Sequence, residues 1–156
     1  MKRELLPEEK EQGFETYAHI LQVQKRLLKA AFLVQQRCMS HDQSKLNDPE
    51  VELFTKMTPK LKLAAYGSDE YKGFLAELKP ALDHHYANNS HHPEHYENGI
   101  DGMNLIDIVE MLCDWIAATK RTKDGDIEKS FEINEKRFNM SPQLINIMRN
   151  TVRMIE

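Results

Sequence analysis

The chain has 156 residues, 40% hydrophobic and 29% charged, which suits one domain spanning 1–156 with a single core. Its 21 basic and 25 acidic residues give a formal net charge of −4, so the balance offers no general attraction to a nucleic acid. The opening "MKRELLPEEKEQ" lacks the apolar stretch of a signal peptide, and no run is long enough to be a membrane span; both point to the cytoplasm.

The first element is a long helix. Pro7 suits its first turn, and Glu8 and Glu9 suit the positive end of its dipole. Phe14, Tyr17, Ala18, Leu21, Leu28, Ala31 and Phe32 keep helical spacing, with a second stripe through Thr16, Ile20, Val23 and Leu27. Apolar on two sides, this helix is expected at the centre of the fold, with His19 facing inward. "MSHDQSKLNDPE" breaks the pattern. Asp48 and Pro49 then read as N-cap and N1 of a helix carrying Val51, Phe54 and Met57. Thr58-Pro59 and Gly67-Ser68 mark further breaks. From Asp69 a helix places Phe74, Leu78, Leu82 and His85 on one face, interrupted at Pro80 and ending near Asn88-Asn89-Ser90.

Asn104 caps the next helix with Asp107 at N3, and Leu105, Ile108, Val109, Leu112, Trp115 and Ile116 line its apolar face. "KDGD" closes that unit, and two more helices start near Asp126 and at Ser141-Pro142. Cys38 and Cys113 lack CxxC spacing and read as free, buried thiols of a reducing compartment. There is no period-2 strand and no repeat. The expected fold is all-α, a compact bundle of five to seven helices.

Seven histidines are present, five of them (His84, His85, His91, His92, His95) between positions 84 and 95. With His19, the adjacent pair His41-Asp42, and Asp114, they form a series of donors on separate elements. Imidazole plus carboxylate suits Fe, Mn, Co, Ni or Zn. Adjacent His and Asp let one segment give nitrogen to one ion while the carboxylate bridges two, the arrangement of two-metal hydrolysis. Competing readings exist for each: a satisfied helix histidine for His19, a loop-to-helix cap for Asp42, solvated imidazoles for His84 and His95. Asp107 reads as a helix N-terminal carboxylate. Asp114 resists such a reading, because it interrupts an apolar helix between Cys113 and Trp115. His85 continues an apolar face and is preferred to His84.

The order H…HD…H…HH…D resembles the HD-domain superfamily of all-α, metal-dependent phosphohydrolases. His19 matches the first His of that pattern, His41-Asp42 the HD pair and Asp114 the last Asp. "HDQSK" resembles the HDxxK of cyclic-dinucleotide phosphodiesterases, where the lysine, here Lys45, approaches the substrate phosphate. "HHPEHYENGIDG" resembles a further segment of that subgroup, but its GYP tripeptide is absent. The run from His41 to Asn150 is similar to small HD-like proteins of bacteria and their phages.

The resemblance implies a phosphatase, nucleotidase or phosphodiesterase acting on a nucleotide or other small phosphorylated substrate. It implies two divalent transition-metal ions, held by His19, His41, Asp42, His85, His91, His92 and Asp114. Asp42 and Lys45 are then the catalytic residues, with Lys45 on the substrate phosphate. His84, His95, Lys120 and Arg121 rank below these, and Lys120, Arg121 and Lys123 are better read as complementing a helix C-terminus. A diiron oxygenase resembling inositol oxygenase and a non-enzymatic metal- or nucleotide-binding module are the alternatives. The expected partner is the small substrate rather than a membrane or nucleic acid, and homo-oligomerisation stays open.

Overall fold

Helical periodicity carries through the chain. The computed structural model describes residues 3–4, 6–64, 68–121 and 125–156, with the backbone alone at 62 and 71. Among the described residues, six α-helices run in the order α1 (Pro7–Ser40), α2 (Glu50–Leu63), α3 (Asp69–Asn88), α4 (Leu105–Thr119), α5 (Ile127–Arg137) and α6 (Pro142–Ile155). Short 3-10 turns lie at Gln43–Leu46, Pro93–His95 and Gly99–Gly102. The described residues contain no strand, so the class is all-α as expected. Gly67, Lys123 and Asp124 lie outside the described residues.

The chain divides into two compact units, Met1–Met39 and Ser40–Glu156. The first is nearly all α1. α1, expected to be covered on two sides, has no buried residue; Phe14 is 74% exposed and Leu28 72%. Periodicity marks a face that can be buried, but it does not supply the surface that buries it.

The second unit has two cores. Met57 of α2 meets Leu78 and Ala81 of α3, with Leu53, Phe54, Leu61, Phe74 and Leu82 around them. Met111 and Leu112 of α4, Phe131 of α5, and Ile145, Met148 and Val152 of α6 form the other, closed by Met140.

Four local expectations are corrected here. α2 starts at Glu50, with Pro49 rather than Asp48 at its N-cap, and its first side chain reaches His84 and His85. It also passes through Pro59, since Met57 and Leu61 lie on either side of it in the same cluster. Burial of that face offsets the roughly 3 kcal/mol a helical proline costs. α3 is likewise unbroken through Pro80. Finally, Cys38 and Cys113 form no disulfide, as expected, but both are exposed; Cys113 sits about 100° round α4 from buried Leu112.

α4 is fixed at its start. Asn104 accepts from the Ile106 and Asp107 amides, and Asp107 accepts from the Asn104 amide. Asp107, fully buried, also accepts from Ser90 and Tyr96, each at 2.8 Å. Its expected role as a helix N-terminal carboxylate therefore extends to holding the segment after α3 against α4. Gly102 makes room for this segment: a Cβ there would lie 2.7 Å from the Cβ of Tyr96.

Candidate metal centre

The centre is assembled within the second unit. After α1 the chain turns through His41 and Asp42. Asp42 takes a left-handed backbone, φ 55°, a conformation that short polar side chains tolerate better than most. A capping role would show as a bond from the turn's amides to its carboxylate, and none is made. The carboxylate faces imidazoles instead.

His85 comes from the last turn of α3, and His91 and His92 follow where the helix ends. Asn89 ties that end to the turn after Asp42, donating to the Ser44 hydroxyl at 2.7 Å and to the His85 carbonyl at 2.8 Å. α4 contributes Glu110 and Asp114, one helical turn apart.

Two donor groups share Asp42. One is Asp42, His85, His91 and His92; the other is His41, Asp42 and Asp114. In each, one ligand atom per residue lies within 4.8 Å of all the others. His85 Nε2 and His91 Nε2 stand 3.4 and 3.6 Å from Asp42 Oδ1. His41 Nε2 is 3.5 Å from Asp42 Oδ2 and 3.7 Å from Asp114 Oδ1. These separations are long for hydrogen bonds. They suit neighbouring ligands of one ion, which bonds of about 2.0–2.2 Å place roughly 3–3.5 Å apart. The 2.8 Å between His85 Nε2 and His92 Nε2 is somewhat tighter. Asp42 Oδ1 and both ring nitrogens of His91 are buried with no hydrogen-bond partner among the described residues. Such orphaned polar atoms are costly unless something is to bind them.

Carboxylates behind the histidines set their tautomers. Glu50, fully buried, accepts from His84 Nδ1 at 2.7 Å and His85 Nδ1 at 2.8 Å. Burial would raise its carboxyl pKa, but bonds from His84, Ser44 and His85 hold it below the usual range. An ionised carboxylate only accepts, so the proton sits on His85 Nδ1 and the Nε2 lone pair points into the cluster. Glu110 does the same for His41, at 2.9 Å from Nδ1; His91 Nδ1 lies 3.2 Å from the same oxygen. Glu110, His41 and His91 make a third possible donor group.

The electrostatics keep the donors in ligating form. Burial works against the charged form of Asp42, yet Lys45, His41 and His85 together hold its pKa below the ordinary value. Burial and then Lys45 lower His85, outweighing Asp42 and Glu50. His92 is pushed down to about 3 by burial beside His91 and His85. His85 and His92 are therefore neutral at pH 7, the form that coordinates metal.

Of the residues expected at the site, the structure brings together His41, Asp42, His85, His91, His92 and Asp114. Lys45 joins them, its ammonium 2.5 Å from Asp42 Oδ2. His19 is exposed on α1, in the first unit, and is in none of these donor groups. His84 backs Glu50, His95 donates to the Tyr86 carbonyl, and Lys120 pairs with Glu156. Arg121 is exposed, bonded through its amide to Ala118.

Glu50 and Glu110 were missed. Both left a trace in the sequence. Glu50 lies on the apolar stripe of Phe54 and Met57, and Glu110 completes an Asp107–Glu110–Asp114 stripe on one face of an otherwise apolar helix.

A sequence model for a family of unknown function (DUF5662) matches residues 8–154. No curated protein and no solved structure matches the chain.

Proposed function

The chain belongs to that family, and from the donor cluster we propose that it is a metal-dependent phosphohydrolase acting on a small phosphorylated substrate. The observation that carries the reading is the set of buried, unbonded atoms around Asp42 Oδ1, with His85 Nε2 and His91 Nε2 at 3.4 and 3.6 Å. A nitrogen-rich set of this kind fits Fe, Mn, Co, Ni or Zn rather than Mg or Ca. Two such ions supply Lewis acidity toward a phosphoryl oxygen and lower the pKa of a water.

The chain's own residues divide the remaining work. Asp42 offers one oxygen to each donor group and fixes their spacing. Glu50 and Glu110 orient His85 and His41, so the lone pairs are aimed before anything binds. The two groups differ in access. His85 and His91 are 3% and 1% exposed, whereas His41 and Asp114 are 32% and 29% exposed. A closed side holds structure, and the open side admits substrate and water. Lys45, with 39% of its side chain exposed, pairs with Asp42 Oδ2, the oxygen that faces His41, and supplies a positive charge for a non-bridging phosphate oxygen.

The test is elemental analysis of the purified chain, followed by a phosphomonoester and phosphodiester screen with Mn, Co, Ni, Fe and Zn. Metal uptake with phosphate release supports the reading. Oxygen consumption by the iron-loaded protein, without phosphate release, moves it to the oxygenase alternative. Metal uptake with neither activity leaves a binding module.

A further inference from the structure

Next to the donor cluster lies a cleft of about 470 Å³, within the range of small-ligand sites. It is formed by Tyr86 of α3, the turn after His92, the C-terminal half of α4 and one face of α5. Two features join it to the cluster. His92 belongs to both, its Nε2 facing His85 while its ring lines the cleft. Ala118, also in the wall, is one helical turn beyond Asp114 on the same stripe of α4, a rise of about 6 Å.

The lining is selective in kind. Trp115 and Phe138 line it with rings 14° from parallel and 6.5 Å apart, the Arg137 guanidinium lying 4.7 Å from the Phe138 ring centre, and the Tyr86 ring centroid is 5.1 Å from that of His92. Flat aromatic walls favour a flat partner. Ser130 and Asn134 add a hydroxyl and an amide; the amide donates to Ser130 Oγ at 3.3 Å, which leaves its second N–H and its carbonyl oxygen for a ligand. Arg137 is held by Glu94 at 2.6 Å, while Lys129 has no ion-pair partner among the described residues.

We propose that this cleft holds the organic part of the substrate, the base of a nucleoside monophosphate, while its phosphate sits at the donor cluster. The phosphate half rests on the hydrolytic reading; the cleft stands on its own geometry. A sugar separates base from phosphate by about the span between Asp114 and Ala118. The Asn134 amide matches the donor–acceptor edge of a base, which a plain aryl group lacks.

Trp115 is the only tryptophan of the chain, so its fluorescence reports the cleft directly. The experiment uses chelated, full-length protein, excited at the red edge of the indole band. Probes are adenosine and cytidine 5′-monophosphates, ribose 5-phosphate and phenyl phosphate. At least one nucleotide quenches saturably, at least tenfold more tightly than either control. Ala118→Phe, which fills the cleft, abolishes this quenching and leaves metal content unchanged. Asn134→Ala, at a half-buried position, weakens it several-fold and covers the case in which the bulkier variant does not fold.

The proposal is overturned if neither nucleotide quenches, if a control binds as well, or if both variants respond like the wild type. Quenching by nucleotides that the metal-loaded protein never hydrolyses removes the hydrolytic reading and keeps the cleft. Equal hydrolysis of every phosphomonoester without quenching does the reverse.

Discussion

Glu50→Gln separates the support of one donor group from that of the other. Glu50 is fully buried and accepts from His84 and His85 with its two oxygens, at 2.7 and 2.8 Å. Glutamine keeps the shape but offers one acceptor and one donor. It can satisfy one Nδ1–H and must oppose the other. His85 then loses either its bond or its tautomer, and its Nε2 is no longer aimed at Asp42 Oδ1, 3.4 Å away. Partners of this kind are worth about 10–100-fold in metal affinity, or roughly 1.4–2.8 kcal/mol. The His41–Asp42–Asp114 group draws its orientation from Glu110 and is spared. Calorimetric titration of chelated protein with Mn²⁺ resolves the two. Wild type shows two binding events; the variant shows one weakened about 10–100-fold and one nearly unchanged. Equal weakening of both, or of neither, would refute the assignment of Glu50 to His85.

Further outcomes are expected. Asp42→Asn lowers affinity at both groups, because a neutral amide bridges two cations poorly; full metal content with undiminished turnover in this variant contradicts the bridge. Lys45→Ala lowers kcat/KM by about tenfold or more while metal content holds, as befits a charge acting on the phosphoryl group; parallel loss of metal would make Lys45 a support for Asp42 instead. Chelated protein loses stability as pH falls from about 6.5, since unfolded His92 titrates near 6.5 and folded His92 only near 3. Between those values the unfolded chain holds a proton that the folded one lacks, at a cost reaching about 2 kcal/mol at pH 5; a Tm flat from pH 7 to 5 would show that this imidazole is not buried neutral.

Local rules carried most of the second unit into view from sequence. Asn104 and Asp107 announced their capping box, and the end of α3 fell at Asn88 as its run of polar residues implied. Pro59 misled because a proline's local cost is visible in sequence, whereas the burial of Met57 and Leu61 that outweighs it is not. The two apolar stripes of α1 likewise say how much of a helix can be covered, not what covers it. At the site, His41, Asp42, His85, His91, His92 and Asp114 stood out because imidazoles and an acid in apolar surroundings are rare choices. Glu50 and Glu110 did not, since a lone glutamate in a helix usually faces solvent. Only their stripe positions set them apart, and those gain meaning once α2, α3 and α4 are seen around the same histidines.

The most direct test of the central claim is the Mn²⁺ electron paramagnetic resonance spectrum of the chelated protein through a stepwise titration. Two ions sharing Asp42 predict uptake of two equivalents and a spin-coupled spectrum at the second, lost in Asp42→Asn. Saturation at one equivalent, with the uncoupled six-line signal of an isolated ion, would contradict it.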